Sequence, residues 1–313
     1  MPRSRRAAGA ASAKAAAATK PCMLLQLSHD ELGVVVHALC DPLRPLLAVQ
    51  LGSTAKGLRA AMQAELQALR QQHEEVEAMA AAWFMSLAWL REKEDLRLGI
   101  TWGIFDKPLA LSHWKTLGML GGCRSLPKLE RLSINGSANG NEGVVRLAQG
   151  LGRGSLASLQ LLVLYDTHIG PQGASALATT LNKRVFPALD TLSLTGNPLG
   201  DAGLAALLPG LCQLPTLKKL GLGKTSIGDQ GVRSLVAEPI GAFESLDRLN
   251  IDANQITDAG CTMLASALRD GALPSLKMLE EWNWPPACPL ELGGNPASQQ
   301  AQSAVEASLK ARS

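Results

Sequence analysis

From residue 129 onward, hydrophobic and polar positions recur in one pattern, Leu-x-x-Leu-x-(Leu/Ile). It starts at Leu129, Leu159, Leu189, Leu217 and Leu246 and again at Leu276, so that successive steps are 30, 30, 28, 29 and 30 residues. Alternations such as Leu192-Ser193-Leu194 and Leu249-Asn250-Ile251 have period two. They predict short strands with both aliphatic side chains on one face and the middle residue on the other. Eight residues after the first Leu stands a polar residue: Ser137, Thr167, Asn197, Thr225 or Asn254. Such a side chain can bond the backbone groups freed where the chain leaves a strand, coil after coil. An apolar residue (Ile169, Leu199, Ile227, Ile256) and a glycine (Gly173, Gly203, Gly231, Gly260) follow. Then come runs such as Ala174, Leu177, Ala178, Leu181 and Cys261, Leu264, Ala265, Leu268, whose i, i+3, i+4, i+7 spacing predicts a helix.

A unit this short closes no core of its own and must stack on its neighbours. The expected fold class is therefore α/β, a solenoid in which parallel strands line the concave side of a horseshoe segment and helices the convex side. The blocks LDTLSLTGNPLGDAGLAALLPGL and LDRLNIDANQITDAGCTMLASAL resemble the ribonuclease-inhibitor-like class of leucine-rich repeats, over roughly residues 126 to 279. The resemblance implies a binding surface rather than a reaction.

Upstream the pattern changes. Ser28 and Glu31 form a capping box ahead of Leu32, Val35, Val36 and Leu39, and Asp41-Pro42 ends that helix. A second apolar run holds Leu46, Leu47, Val49 and Leu51. Residues 22–62 resemble the F-box, a three-helix motif that docks on the Skp adaptor of cullin ubiquitin ligases. The resemblance is carried by Leu27, Glu31, Leu32, Leu39, Leu43 and the Lys56, Arg59 end, and by its place ahead of leucine-rich repeats. It departs from the motif in having Ser28 for the usual Pro and no Trp near the end. It implies adaptor binding through Leu27, Glu31, Leu32, Leu39 and Leu43. A helical cap that shields the first repeat remains the open alternative.

Between these parts, Leu66, Leu69, His73, Val76, Ala80, Trp83, Leu87 and Leu90 alternate steps of three and four. One long amphipathic helix with a coiled-coil-like seam is expected, His73 being a polar break in it. Met79 and Phe84 widen its apolar face and favour packing on the protein itself, hence a monomer rather than a dimer. Leu96-Arg97-Leu98 and the run Trp114, Leu117, Leu120 read as a worn first repeat, so residues 63–128 are assigned to this helix and a degenerate capping repeat. At the other end EEWNWPPACPLE interrupts the sixth repeat. Removing residues 281–291 restores a normal strand and a turn at Asn295, which marks that segment as an insertion in the array of residues 129–313.

Composition adds bounds. Aromatic residues make up 4% of the chain, as repeating aliphatic slots require. Net charge is +3, and residues 1–21 carry Arg3, Arg5, Arg6, Lys14 and Lys20 with no acid. Subtracting these five leaves −2 for the rest, which gives no footprint for nucleic acid. The basic, Ala-rich start reads as a disordered tail in preference to an organelle-targeting segment. The six cysteines lack metal or redox spacing, and no run is long enough for a membrane span. An intracellular protein of cytoplasm or nucleus, without cofactor or metal, is expected.

Gly223-Lys224-Thr225 echoes a nucleotide-binding loop. The glycine required five residues before Gly223 is Lys218, however, and the repeat register makes Thr225 a turn residue. No hydrolase or metalloprotease motif is present, and His29, His37, His73, His113 and His168 share no spacing. Catalysis is not expected. The candidate site is the outward set of strand positions: Arg131, Ser133, Asn135; Leu161, Val163, Tyr165; Thr191, Ser193, Thr195; Lys219; Arg248, Asn250, Asp252. Apolar residues around the only Tyr, with Lys and Arg on later strands, suit a protein or peptide ligand.

Overall fold

The computed structural model describes residues 63–82, 85–99, 109–152, 154–182, 184–237, 243–276 and 290–312. The tail, the F-box-like segment 22–62 and most of the insertion lie outside them. The chain divides into two compact units, Met1–Cys40 with Arg44–Arg70, and Asp41–Leu43 with Gln71–Ser313. The second unit holds the repeats.

Among the described residues, that unit is built on one sheet of seven strands in sequence order, all parallel: β1 (Asp95–Gly99), β2 (Arg131–Asn135), β3 (Leu161–Tyr165), β4 (Thr191–Ser193), β5 (Lys219–Gly221), β6 (Arg248–Asn250) and β7 (Leu290–Glu291). Each connection carries a helix: α3 (Leu111–Gly122), α4 (Gly140–Gly150), α5 (Pro171–Asn182), α6 (Gly200–Leu211), α7 (Asp229–Val236) and α8 (Asp258–Arg269), with α9 (Gln299–Lys310) after β7. Parallel strands pair about 4.8 Å apart, whereas helices need 8–10 Å. The stack therefore bends toward its strand side.

The alternation sets which residues turn inward. Leu132 and Ile134, Leu162 and Leu164, Leu192 and Leu194, and Leu249 and Ile251 are each at most 2% exposed and join the helix faces in one core cluster. The opening leucines Leu129, Leu159, Leu189, Leu217, Leu246 and Leu276 are buried too. Burying such a side chain stabilises the fold by about 1.5–3 kcal/mol.

Polar residues tie the coils together in two rows. The turn residues Ser137, Thr167, Asn197 and Thr225 are fully buried, and Asn254 nearly so. Asn197 Oδ1 accepts from Thr167 N (3.0 Å), Thr167 Oγ1 (3.0 Å) and Ile169 N (2.9 Å), and Nδ2 donates to Leu164 O (2.6 Å) and Leu194 O (2.7 Å). Asn254 repeats this on Thr225 and Ile227, and Asn295 accepts from Ile256 N and donates to Ile251 O. A carboxamide has both donors and acceptor, so it satisfies two coils at once.

The second row was not foreseen. Asn141 Oδ1 accepts from Gly170 N (2.8 Å) and Gly173 N (2.9 Å), where α5 starts, and Asp201 Oδ1 takes Gly228 N (2.7 Å) and Gly231 N (2.9 Å) at the start of α7. Asp229 holds Thr257 and Asp258 holds Ser298, the N-caps of α8 and α9. Helix N-termini carry free N–H groups and a positive dipole end, which favours an acceptor there. The row lapses once, at Pro171, which has neither carboxylate nor amide. These contacts explain the repeated glycine: a Cβ on Gly173 or on Gly231 would lie 2.6 Å from the Asn141 or Asp201 oxygen, and one on Gly260 would run into Asp229 Oδ1.

Two expectations change. The long helix is interrupted: α1 (Gln63–Ala82) ends ahead of Ser86, whose Oγ accepts from Trp89 N (3.1 Å) and caps a separate α2 (Leu87–Glu92). Hydrophobic spacing alone ran through that cap. Leu290 and Glu291, assigned to the insertion, instead form β7, with Leu249 opposite Leu290 and Asn250 opposite Glu291. The text Leu-Glu flanks this interruption on both sides, at 279–280 and 290–291, so deleting 279–289 or 281–291 leaves the same product. Pairing selects the second copy, and the sixth coil is already closed by Leu292 and Asn295. Leu96 and Leu98 lie in β1 and Trp114, Leu117 and Leu120 in α3, with Trp114 fully buried and Gly143 leaving room for its ring.

Candidate functional site: the outer strand face

Strand pairing aligns the candidate residues in rows. Asp95, Arg131, Leu161, Thr191, Lys219 and Arg248 stand opposite one another in turn, as do Arg97, Ser133, Val163, Ser193, Gly221, Asn250 and Glu291. A third row runs through Asn135 and Tyr165. Backbone bonds continue past the strand ends, from Asp166 N to Thr195 O, Gly196 N to Gly223 O and Lys224 N to Asp252 O, which brings Thr195, Gly223 and Asp252 into line. All thirteen candidate positions thus lie on one face. The five adaptor-docking candidates, Leu27, Glu31, Leu32, Leu39 and Leu43, lie outside the described residues.

The face changes character along the array. On β3, Leu161 and Val163 are half-buried and Tyr165 is 42% exposed, against 0% for Leu162 and Leu164 between them. Beside it, Thr191 Oγ1 donates to Asp190 Oδ1 (2.7 Å) and Ser193 Oγ to Thr195 Oγ1 (3.2 Å). β5 and the turn after it present glycine at Gly221 and Gly223, and the neighbouring side chains lean over both. A Cβ at Gly221 would meet Ser193 Oγ at 2.8 Å, and one at Gly223 would meet Asn250 Oδ1 at 2.5 Å and collide with Asp252 Oδ1. That Asp252 oxygen is buried with no hydrogen-bond partner among the described residues.

Sequence reasoning left out Asp95 and Arg97, the outward residues of the worn repeat. They form an ion pair (Nη2 to Oδ2, 2.9 Å) that raises the guanidinium pKa, chiefly through its hydrogen bond to Asp95. The alternation Asp95-Leu96-Arg97-Leu98 was the available signal. Elsewhere, burial, then the charges of Asp258 and Asp229, push the Cys261 thiol up to about 11, so at neutral pH it is no nucleophile. Among the described residues no three His, Cys, Asp or Glu side chains stand together as a metal site, and no helix is long and apolar enough to cross a membrane.

Strand, buried polar turn and helix, repeated in register, define an α/β leucine-rich-repeat solenoid. A family model described as Leucine Rich repeat matches residues 189–208 and 244–265. Those are two coils whose turn residue is Asn rather than Ser or Thr, where both sides of the carboxamide are used. Similar solved structures include a TLR13–ssRNA13 complex, 19% identical over 71% of this chain and 33% of that one, with a TM-score of 0.28. Another is an internalin (inlF) from Listeria monocytogenes str. 4b F2365, 14% identical over 73% of this chain and 84% of that one, also at 0.28. This chain therefore spans a third of the TLR13 chain's length. No curated protein matches the sequence.

Proposed function

We propose that the outer strand face docks a segment of another protein, with Tyr165 as the anchor, and that the array is a protein-interaction module rather than an enzyme. One observation carries this reading: Tyr165 stands 42% exposed beside half-buried Leu161 and Val163 on a face otherwise made of glycines and of hydroxyl, amide and charged groups. A rigid aromatic ring with a polar tip, ringed by hydrogen-bonding residues, is the composition of an interface hot spot. The 28- to 30-residue units, each pairing strand with helix, support the ribonuclease-inhibitor-like subtype. For the test, Tyr165→Ala should lose whatever protein the intact chain captures, by tenfold or more in affinity if the ring is a hot spot worth about 2 kcal/mol. Its melting curve should stay unchanged. Equal capture by the variant overturns the assignment.

For residues 22–62 the proposal is an F-box-like module that docks a Skp-type adaptor through Leu27, Glu31, Leu32, Leu39 and Leu43. The repeats then act as the substrate receptor of a cullin ubiquitin ligase in cytoplasm or nucleus. Its support is the motif text and its order ahead of leucine-rich repeats. Leu32→Asp with Leu39→Asp should abolish adaptor binding while the repeats stay folded. If the unaltered chain binds no Skp adaptor at micromolar concentration, the freestanding scaffold with a helical cap replaces it.

A further inference from the structure

The chain has two Asn-Gly dipeptides, Asn135-Gly136 and Asn139-Gly140, four residues apart in the same coil. Asparagine followed by glycine is the sequence most prone to spontaneous deamidation, because no side chain crowds the attack of the glycine nitrogen on the asparagine carboxamide. The reaction needs a free N–H and room to rotate the backbone. By those criteria the two sites differ.

Asn135 ends β2, between strands on both sides. Gly136 N, the nitrogen that would attack, donates to Tyr165 O (3.0 Å), and Ser137, next along, is fully buried with its Oγ bonded to Leu109 O (3.4 Å). Asn139 is exposed and makes no side-chain capping bond, and Gly140 is the first residue of α4. Its N–H is one of the donors that a helix N-terminus leaves without an intrahelical partner. Rotating Asn139 from its ψ of 26° breaks the bond from Gly143 N to Asn139 O (2.6 Å) and shifts buried Gly140 where it packs on Thr167 O and Ile169, but it opens no strand pairing.

We infer that Asn139 is a spontaneous modification site and that the fold protects Asn135 from the same chemistry. The deprotonated Gly140 nitrogen bonds to Asn139 Cγ, the Cγ–Nδ2 bond breaks, and ammonia leaves with the proton. Water then opens the cyclic imide at either carbonyl, giving aspartate or isoaspartate. The isoaspartate product adds a methylene to the main chain two residues ahead of Asn141, whose Oδ1 holds the Gly170 and Gly173 N–H groups at the start of the next helix. Ageing at this one residue thus loosens the junction between the coils that start at Leu129 and Leu159.

The full chain, native or unfolded in urea, is held in mildly alkaline buffer at physiological temperature. Tryptic peptide 132–146, between Arg131 and Arg146, is then sequenced by mass spectrometry for the one-dalton gain at each asparagine. In the native protein Asn139 should convert at least about tenfold faster than Asn135, whose reaction waits on local opening of the sheet. In urea the two should convert at comparable rates. Equal rates in the native chain, slow conversion of both, or faster conversion at Asn135 each overturn the inference. So does the same difference persisting in urea, since it would then belong to the dipeptides' neighbours and not to the fold.

Discussion

At single residues, the contacts between coils explain positions that periodicity could only mark. Gly173 recurs in the pattern as the glycine ahead of a helix, but its requirement comes from its neighbours: a Cβ would lie 2.6 Å from the Asn141 oxygen that accepts from its N–H and 2.9 Å from Ile169 Cγ2. Alanine there gains about 1 kcal/mol of helix propensity and loses more to overpacking. Gly173→Ala should therefore destabilise by about 2 kcal/mol in urea unfolding. Asn141→Ala should cost a similar amount through the unmet N–H groups of Gly170 and Gly173. In the double variant the overlap with the amide is gone, so the two losses should fall short of their sum by about 1 kcal/mol. Strict additivity would mean that the amide is not what excludes the side chain. The left-handed turn after β2 to β7 was equally hidden, because Asp166, Lys224 and Ala253 adopt it (φ 51°, 53° and 48°) alongside Gly136, Gly196 and Gly294.

Among the elements, the strands and helices of the array were legible and their limits less so. Ser86 starts a separate helix where spacing alone continued one, since a cap acts through one hydrogen bond and leaves no periodic trace. The last strand, β7, shows the same limit. Either copy of Leu-Glu satisfies the pattern, and only pairing with Leu249 and Asn250 chose Leu290-Glu291. Deleting residues 281–291 should therefore leave strand pairing as it is, because the ladder at Asn295 is already complete. Amide exchange across residues 246–268 should match that of the intact chain. The shorter loop should add well under about 1 kcal/mol, as loop closure depends only logarithmically on length. Markedly slower exchange there would show that the sixth coil is strained in the intact protein.

In the molecule as a whole, stability passes from coil to coil through one apolar spine. Leu194 lies near its middle at 0% exposure, with its N–H bonded to Gly221 O (2.8 Å). Leu194→Asp places an unpaired charge there and should cost about 4 kcal/mol. The loss should appear as a lower urea midpoint with helix signal falling across several coils. An unchanged midpoint would show that this position does not face the spine. The sequence by itself determined the solenoid, its inward leucines, the buried turn residues and the outward rows that form the candidate face. Each of these follows from periods of two, 3.6 and about thirty residues, which a chain displays without being folded. Tertiary structure alone decided which oxygen meets which helix start, which Leu-Glu becomes a strand, and how far Asp252 leans over Gly223. Those outcomes depend on groups a whole coil apart in the chain that become neighbours only when the coils stack.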